Sequence, residues 1–215
     1  VSSNYDLMND LMSFGFHRLW KETIFNFISP NENESFLDLA GGSGDVSRLI
    51  KKKFPPNKCV LVDNNKKMIY EAKKKLRTYK VDYVLASAEN LPFKSESFDN
   101  VIVSFGLRNF SNIDLSLIEI YRCLKKNGKF ICLEFSDING KLLKFMLNKY
   151  YDIIPKLGKI IAKNELAYKY LIESIRSFPN QMELSKKLKM VNFKDIECYD
   201  LFDGIASIHI GKKTL

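Results

Sequence analysis

With 215 residues, 46% of them apolar and 27% charged, the chain is large enough to bury a real core and has the ordinary composition of a soluble globular protein. A formal charge of +9, from 34 Lys and Arg against 25 Asp and Glu, favours anionic surfaces, membrane or nucleic acid, without choosing between them. No uncharged apolar run is long enough to cross a bilayer, and a chain with two histidines and no C-x-x-C pair argues against a metal centre.

The first residue is Val1, so the chain is expected to be a trimmed one with any targeting peptide out of view. Tyr5 to Ser29 read as two helical pieces divided near Ser13-Phe14-Gly15, with Leu7, Met8, Leu11, Met12, Leu19, Ile24, Phe25 and Ile28 at helical spacing. Pro30-Asn31-Glu32-Asn33 breaks that pattern and leads into a first strand, Ser35 to Leu39. A helix follows over Val46 to Lys53, then a buried strand Cys59 to Val62 ending in Asp63, and a lysine-rich helix through Arg77. Further strands are read at Val81 to Ala86, Phe98 to Phe105 and Lys129 to Phe135, with a helix over Ile113 to Leu124 and a turn at Asn127-Gly128. Strands interleaved with helices predict a parallel sheet covered on both faces. Lys141 to Lys187 is expected to be helical, interrupted at Pro155, Gly158 and Pro179. The chain then closes on Phe193 to Leu201 and Ile205 to Gly211, a hairpin turning at Phe202-Asp203-Gly204. One domain, 1–215, is expected, with 1–30 as a helical lid and 141–187 as a helical insert on the substrate side. The cysteines Cys59, Cys123, Cys132 and Cys198 each sit in an apolar segment and are expected to be buried, reduced thiols.

The chain is organised around Phe36-Leu37-Asp38-Leu39-Ala40-Gly41-Gly42-Ser43-Gly44-Asp45, which reads as strand, tight turn and helix. Glycines there let backbone approach a ligand closely, and the following helix aims free N–H groups at the same spot. A P-loop would need Gly-Lys-Ser/Thr, but Asp45 follows Gly44, and a dinucleotide fingerprint from Gly42 would place Ser47 where Gly or Ala belongs. Ligands of open α/β sheets sit beyond the carboxyl ends of the strands. In order, those ends carry the glycine turn, Asp63, Ser87-Ala88-Glu89 and Ser104-Phe105-Gly106, a set suited to one nucleoside ligand. Asp63, acceptor-only when ionised, suits a pair of ribose hydroxyls.

The glycine turn resembles the acidic-x-Gly-x-Gly-x-Gly pattern of S-adenosylmethionine (SAM) methyltransferases, with Asp38, Gly42 and Gly44 in place and Ala40 at the first glycine. Tyr5 to Ser13, His17-Arg18-Leu19-Trp20-Lys21, Ala40 to Asp45, Ala88-Glu89-x-Leu91-Pro92-Phe93 and Ser104-Phe105-Gly106-Leu107-Arg108-Asn109 resemble the ubiquinone/menaquinone biosynthesis C-methyltransferase (UbiE-type) family. So do Leu133-Glu134-Phe135-Ser136, Tyr168-x-Tyr170-Leu171-x-Glu173-Ser174-Ile175-Arg176-x-Phe178-Pro179 and Ala206-x-x-His209-x-Gly211. The resemblance implies a class I SAM methyltransferase fold, α/β, with a seven-stranded, mostly parallel sheet, a terminal antiparallel hairpin and N-terminal helices. It implies SAM as cofactor, no metal, and SAM contacts at Ser43, Asp63, Ser87, Ala88 and Ser104 beside the glycine turn. Ser43 stands where the family commonly has Thr, keeping the hydroxyl; Ser87 stands for Asn and loses an amide.

The implied reaction is methyl transfer to a ring carbon of a polyprenylated benzoquinol, 2-methoxy-6-polyprenyl-1,4-benzoquinol, or of demethylmenaquinol. Arg108 and Asn109 are the expected catalytic pair. Arginine, with no free lone pair, is a poor base, so Arg108 is read as stabilising a ring phenolate while Asn109 orients a hydroxyl or water. Tyr5 is a weaker catalytic candidate. Tyr168, Tyr170, Glu173 and Arg176 are candidates for the quinol pocket, and His17 and His209 for structural hydrogen bonds. Lys141 to Lys163, with Asp152 its sole acid, reads as a basic amphipathic stretch suited to a membrane surface, part of it as substrate lid and membrane-facing entrance, or to packing on the sheet or a dimer partner. Further expectations are a homodimer and a quinone-synthesis complex as assemblies and no nucleic-acid partner. The location expected is the matrix side of the mitochondrial inner membrane for a eukaryotic chain, or the cytoplasm for a bacterial one. Two other readings stay open, a non-catalytic SAM-binding subunit and an O-methyltransferase of the same pathway.

Overall fold

The computed structural model describes residues 10, 13, 15–55, 57–161 and 165–214. One seven-stranded sheet runs through it in the order β3-β2-β1-β4-β5-β7-β6. Its strands are β1 (Ser35–Leu39), β2 (Lys58–Asp63), β3 (Asp82–Leu85), β4 (Phe98–Ser104), β5 (Leu124–Phe135), β6 (Lys194–Leu201) and β7 (Ala206–Lys212). The first five are parallel; β7 pairs antiparallel with both β5 and β6. Leu37 of β1 lies opposite Val60 on one side and Val101 on the other, and every residue of β1 is buried, as a central strand covered on both faces requires.

The helices are α1 (His17–Thr23), α2 (Asp45–Lys53), α3 (Lys66–Lys75), α4 (Ile113–Cys123), α5 (Lys141–Ile161), α6 (Glu165–Ser177) and α7 (Gln181–Met190), with 3-10 turns at Ile24–Phe27 and Leu107–Asn109. One face of the sheet is packed by Trp20 and Ile24, by Leu49 and Ile50 of α2, and by Leu147, Tyr151 and Ile154 of α5. The other is packed by Leu117 and Ile120 of α4 and Leu184 and Leu188 of α7. Each such side chain contributes on the order of 1.5–3 kcal/mol by leaving water.

Three readings of the sequence are corrected. Helix α5 continues through Pro155 and Gly158. A helix-interior proline removes one backbone bond, but the buried ridge of Leu147, Tyr151 and Ile154 holds the segment helical. Strand β5 begins at Leu124, which pairs with Phe98, so Asn127 (φ 63°) and Gly128 are taken up within the strand. Finally, Cys198 is exposed, because β6 is the sheet's last strand with its outer surface uncovered; Cys59, Cys123 and Cys132 are buried, and all four thiols are free. Of the first N-terminal helical piece, from Tyr5, all but Asp10 and Ser13 lies outside the described residues.

The strand order reverses between β1 and β4: from β1 the chain proceeds outward to β2 and β3, then returns to the other side at β4. A crevice therefore opens beyond the carboxyl ends of these two strands, with the glycine turn on one side and Ser104 to Asn109 on the other.

Candidate active site

The glycine turn is built by Asp38 from below. Its buried carboxylate accepts from the N–H of Ser47 at 2.9 Å and from the Ser47 hydroxyl at 2.6 Å, tying β1 to the first turn of α2. Burial pushes the Asp38 carboxyl up to about 6, against the pull of these hydrogen bonds. Ala40 (φ 54°) takes the left-handed conformation where the sequence pattern commonly has glycine. Gly44 (φ 87°) begins α2, and a Cβ there would meet Leu76 Cδ1 at 2.6 Å. At Gly42 (φ 55°) a Cβ would meet nothing within 4 Å, so its outer side is open to a ligand.

Beside this turn lies a cavity of about 600 Å³. Gly42, Asp63 and Met68 form one part of its wall, Ala86, Ala88 and Glu89 another, and Arg108, Asn109, Tyr170 and Leu171 a third. Asp63 accepts from the N–H of Gly42 at 2.9 Å and, through its other oxygen, from the N–H of Asn65 at 2.8 Å. Each oxygen keeps a lone pair for a further donor, such as a ribose hydroxyl. Burial raises the Asp63 carboxyl above its usual range, against those two hydrogen bonds. A second, smaller hollow shares Ala40 and Gly42 with the cavity and is walled by Lys21, Asp38, Ser43, Asp45, Ser104 and Phe105. The Ser104 hydroxyl is buried there without a hydrogen-bond partner.

Arg108, in the cavity wall, has a side chain only 1% exposed, in an ion pair with Glu134 of β5, likewise 1% exposed. One guanidinium nitrogen donates to Glu134 at 2.5 Å and to the Phe105 carbonyl at 2.7 Å. Glu134 also accepts from the N–H of Phe135 at 2.9 Å. Burial raises the Glu134 carboxyl, against the neighbouring Arg108 charge. Asn109, at the exposed rim, accepts from the Tyr170 hydroxyl at 3.4 Å.

Of the residues singled out from sequence, Gly42, Asp63, Ala88, Arg108 and Asn109 line the cavity, and Asp38, Ser43 and Ser104 line the hollow beside Gly42. Gly44 lines neither and begins α2, while Ser87 is exposed and donates its hydroxyl to Glu89. Tyr5 lies outside the described residues. Among the later candidates, Tyr170 lines the cavity, Tyr168 is buried in the core, Arg176 pairs with Asp152 at 3.0 Å and Glu173 is exposed. His17 bonds Asp10 at 2.9 Å and His209 contacts the Gln181 carbonyl at 3.0 Å, both structural positions. Sequence reasoning gave no role to Glu134 or Lys21. The signal for Glu134 was an acidic residue closing an apolar strand; for Lys21 it was only membership of a matched run.

The surroundings fit a nucleoside with a charged tail: apolar walls at Met68, Ala86 and Ala88, a carboxylate with free lone pairs at Asp63, and a polar hollow containing an unpartnered hydroxyl beside it. Among the described residues no three His, Cys, Asp or Glu side chains are grouped to hold a metal ion.

Comparison with known proteins points the same way. The model of the ubiE/COQ5 methyltransferase family matches residues 1–213. A protein of Rickettsia bellii named ubiquinone/menaquinone biosynthesis C-methyltransferase UbiE is 45% identical over 222 residues, covering 99% of this chain and 89% of that one. Its namesake in Blochmanniella floridana is 43% identical, covering 99% and 86%. In Dictyostelium discoideum a protein named 2-methoxy-6-polyprenyl-1,4-benzoquinol methylase, mitochondrial, is 38% identical, covering 99% and 79%. A SAM-dependent methyltransferase structure from Thermotoga maritima superposes with TM-score 0.69 at 19% identity, covering 99% of this chain and 95% of that one, a likeness of fold.

Proposed function

The chain belongs to the ubiE/COQ5 methyltransferase family, and from that premise we propose that it transfers the methyl group of SAM to a ring carbon of a polyprenylated quinol. The substrate is a benzoquinol of ubiquinone biosynthesis, a demethylmenaquinol, or both. The observation that carries this reading is the shared cavity, lined by Asp63 and the glycine turn, by Arg108 and Asn109, and by the apolar residues Leu166, Ala167 and Leu171 of α6.

Asp63 would hold the ribose, Met68, Ala86 and Ala88 the adenine, and Ser43 and Ser104 the methionine end. SAM supplies an already activated methyl group. The protein's task is then to align the ring carbon with it and raise that carbon's electron density, which loss of a ring hydroxyl proton to water would do. S-adenosylhomocysteine would leave as the C–S bond breaks, and the methylated ring carbon would give up its own hydrogen as a proton to water, restoring the aromatic ring. Arg108 is held by Glu134 and the Phe105 carbonyl in one orientation, so its guanidinium is a preorganised donor for a developing phenolate. Because Glu134 balances its charge, Arg108 acts by directed hydrogen bonding more than by net positive field. Asn109 and the Tyr170 hydroxyl, 3.4 Å apart, would orient a ring hydroxyl or a water.

Helix α5 supports contact with a membrane surface, where such a substrate resides. Leu142, Phe145, Met146 and Ile153 are exposed along it, while Leu147, Tyr151 and Ile154 face the core. Lys149 lies among the exposed set, its ammonium 5.8 Å from the centre of the Phe145 ring, and Lys144 pairs with Asp137 on another side of the helix. Apolar side chains with lysines along one helix suit a surface of anionic headgroups. Among the described residues no helix is long and apolar enough to cross a membrane. The reading is tested by incubating the protein with SAM and short-chain quinols of both kinds. A mass gain of one methylene unit on either supports it, and no product on both overturns it.

A further inference from the structure

This inference rests on the cofactor reading above and extends it to a residue outside the sheet. Ala40 and Gly42 wall both the cavity and the smaller hollow, so a ligand whose ribose meets Asp63 reaches that hollow by passing over the glycine turn. The end of SAM that arrives there is an α-amino acid zwitterion, which calls for both an anion and a cation. Asp38 and Asp45 supply carboxylates; the cation in the hollow is Lys21 of α1.

Lys21 is an unusual lysine. Its side chain is 8% exposed, and among the described residues its only hydrogen-bond acceptor is Asp45, at 2.8 Å. An ammonium carries three donors, so two remain for other acceptors, on the side of the hollow or on that of an outer cleft that Lys21 and Asp45 line with Arg18 and Lys75. The unpartnered Ser104 hydroxyl lies in the same hollow. Asp45 does not depend on Lys21 alone, because its other oxygen accepts from Lys75. Lys21 can therefore turn toward a ligand without leaving a bare carboxylate behind.

We propose that Lys21 is a cofactor-binding residue whose ammonium pairs with the carboxylate of the SAM methionine end, making α1 part of the cofactor site. With Lys21 lying against Asp45 the hollow measures about 20 Å³, room for roughly one water molecule. The flexible stem of Lys21 is the wall that moves to admit the amino-acid group.

The test is calorimetric titration of the full chain and of K21M, K21Q and K21R with three ligands: S-adenosylhomocysteine, its decarboxylated analogue, and 5′-methylthioadenosine, which lacks the whole amino-acid end. K21M and K21Q are expected to weaken S-adenosylhomocysteine binding by about ten- to a hundredfold, the worth of a charge-assisted hydrogen bond. They should leave the affinities of the other two ligands unchanged, and K21R should restore most of the loss. Equal weakening of all three ligands, or none for S-adenosylhomocysteine, overturns the proposal. K21Q keeps a hydrogen bond to Asp45 and stands in if K21M fails to fold. Failure of the unaltered chain to bind S-adenosylhomocysteine would instead overturn the cofactor reading.

Discussion

Asp38→Asn separates what the buried carboxylate costs the fold from what it does for the site. In the native chain Asp38 titrates at about 6, against 3.8 when unperturbed, because burial disfavours its charge more than Ser47 favours it. The folded state therefore binds the proton more tightly than the unfolded one. The resulting stabilisation is fully present below about pH 4 and is lost as pH rises through about 6. Between pH 4.5 and 7.5 this linkage removes about 2 kcal/mol from the native chain and nothing from the Asn variant. Asn can still accept both Ser47 bonds with its carbonyl oxygen, and any cost of its buried amide is the same at both pH values, so it cancels. Urea unfolding of both proteins at the two pH values reads the difference directly. The stability of D38N relative to native should rise by about 2 kcal/mol on going from pH 4.5 to 7.5. Its affinity for S-adenosylhomocysteine should fall, since the carboxylate facing the hollow is gone. A relative stability that stays constant or falls over this range would refute the assignment of Asp38 as a buried, charge-strained group.

Asp63→Ala should lose affinity for S-adenosylhomocysteine by roughly one to two orders of magnitude, the worth of hydrogen bonds to a charged acceptor. Near-native affinity in a calorimeter would remove Asp63 from the cofactor wall. Arg108→Ala strips the partner from a fully buried Glu134 and should cost about 3–5 kcal/mol of stability while lowering kcat far more than cofactor affinity. Arg108→Lys, which keeps the charge without the planar fork, should retain part of the activity; an Ala variant with native kcat would sink the catalytic role. For the membrane, changing Lys144 and Lys149 to Glu should reduce co-sedimentation with anionic vesicles but not with neutral ones. Equal sedimentation of variant and native chain on anionic vesicles would end that idea.

The fold was legible because its strands are short apolar runs between turn signals. β1 was read to the residue, and β2 and β4 to within one, since buried parallel strands carry continuous Phe, Leu, Ile and Val. The reading failed where local chemistry yielded to packing. Pro155 looked like a helix break but sits in a helix held on the sheet by the buried Leu147, Tyr151 and Ile154, and Cys198 looked like core because an apolar neighbourhood does not reveal that β6 is the edge. Asp63 and Ala88 of the cavity wall could be listed in advance because they stand at or just past strand ends, whereas Arg108 and Asn109 were named through the family resemblance. What joins residues far apart could not: Glu134 meets Arg108 across 26 positions, and Lys21 meets Asp45 across 24. Only the parallel register of β4 on β5, and the folding of α1 back over the glycine turn, creates those pairs.

The central claim is that a quinol ring carbon receives the methyl group. Supplying SAM labelled with carbon-13 in its methyl and locating the label in the isolated product by NMR tests it most directly. The account predicts a carbon-bound methyl on the quinol ring, lost in Arg108→Ala. A label found on a ring oxygen would contradict it, as would unlabelled quinol recovered from an enzyme that binds S-adenosylhomocysteine.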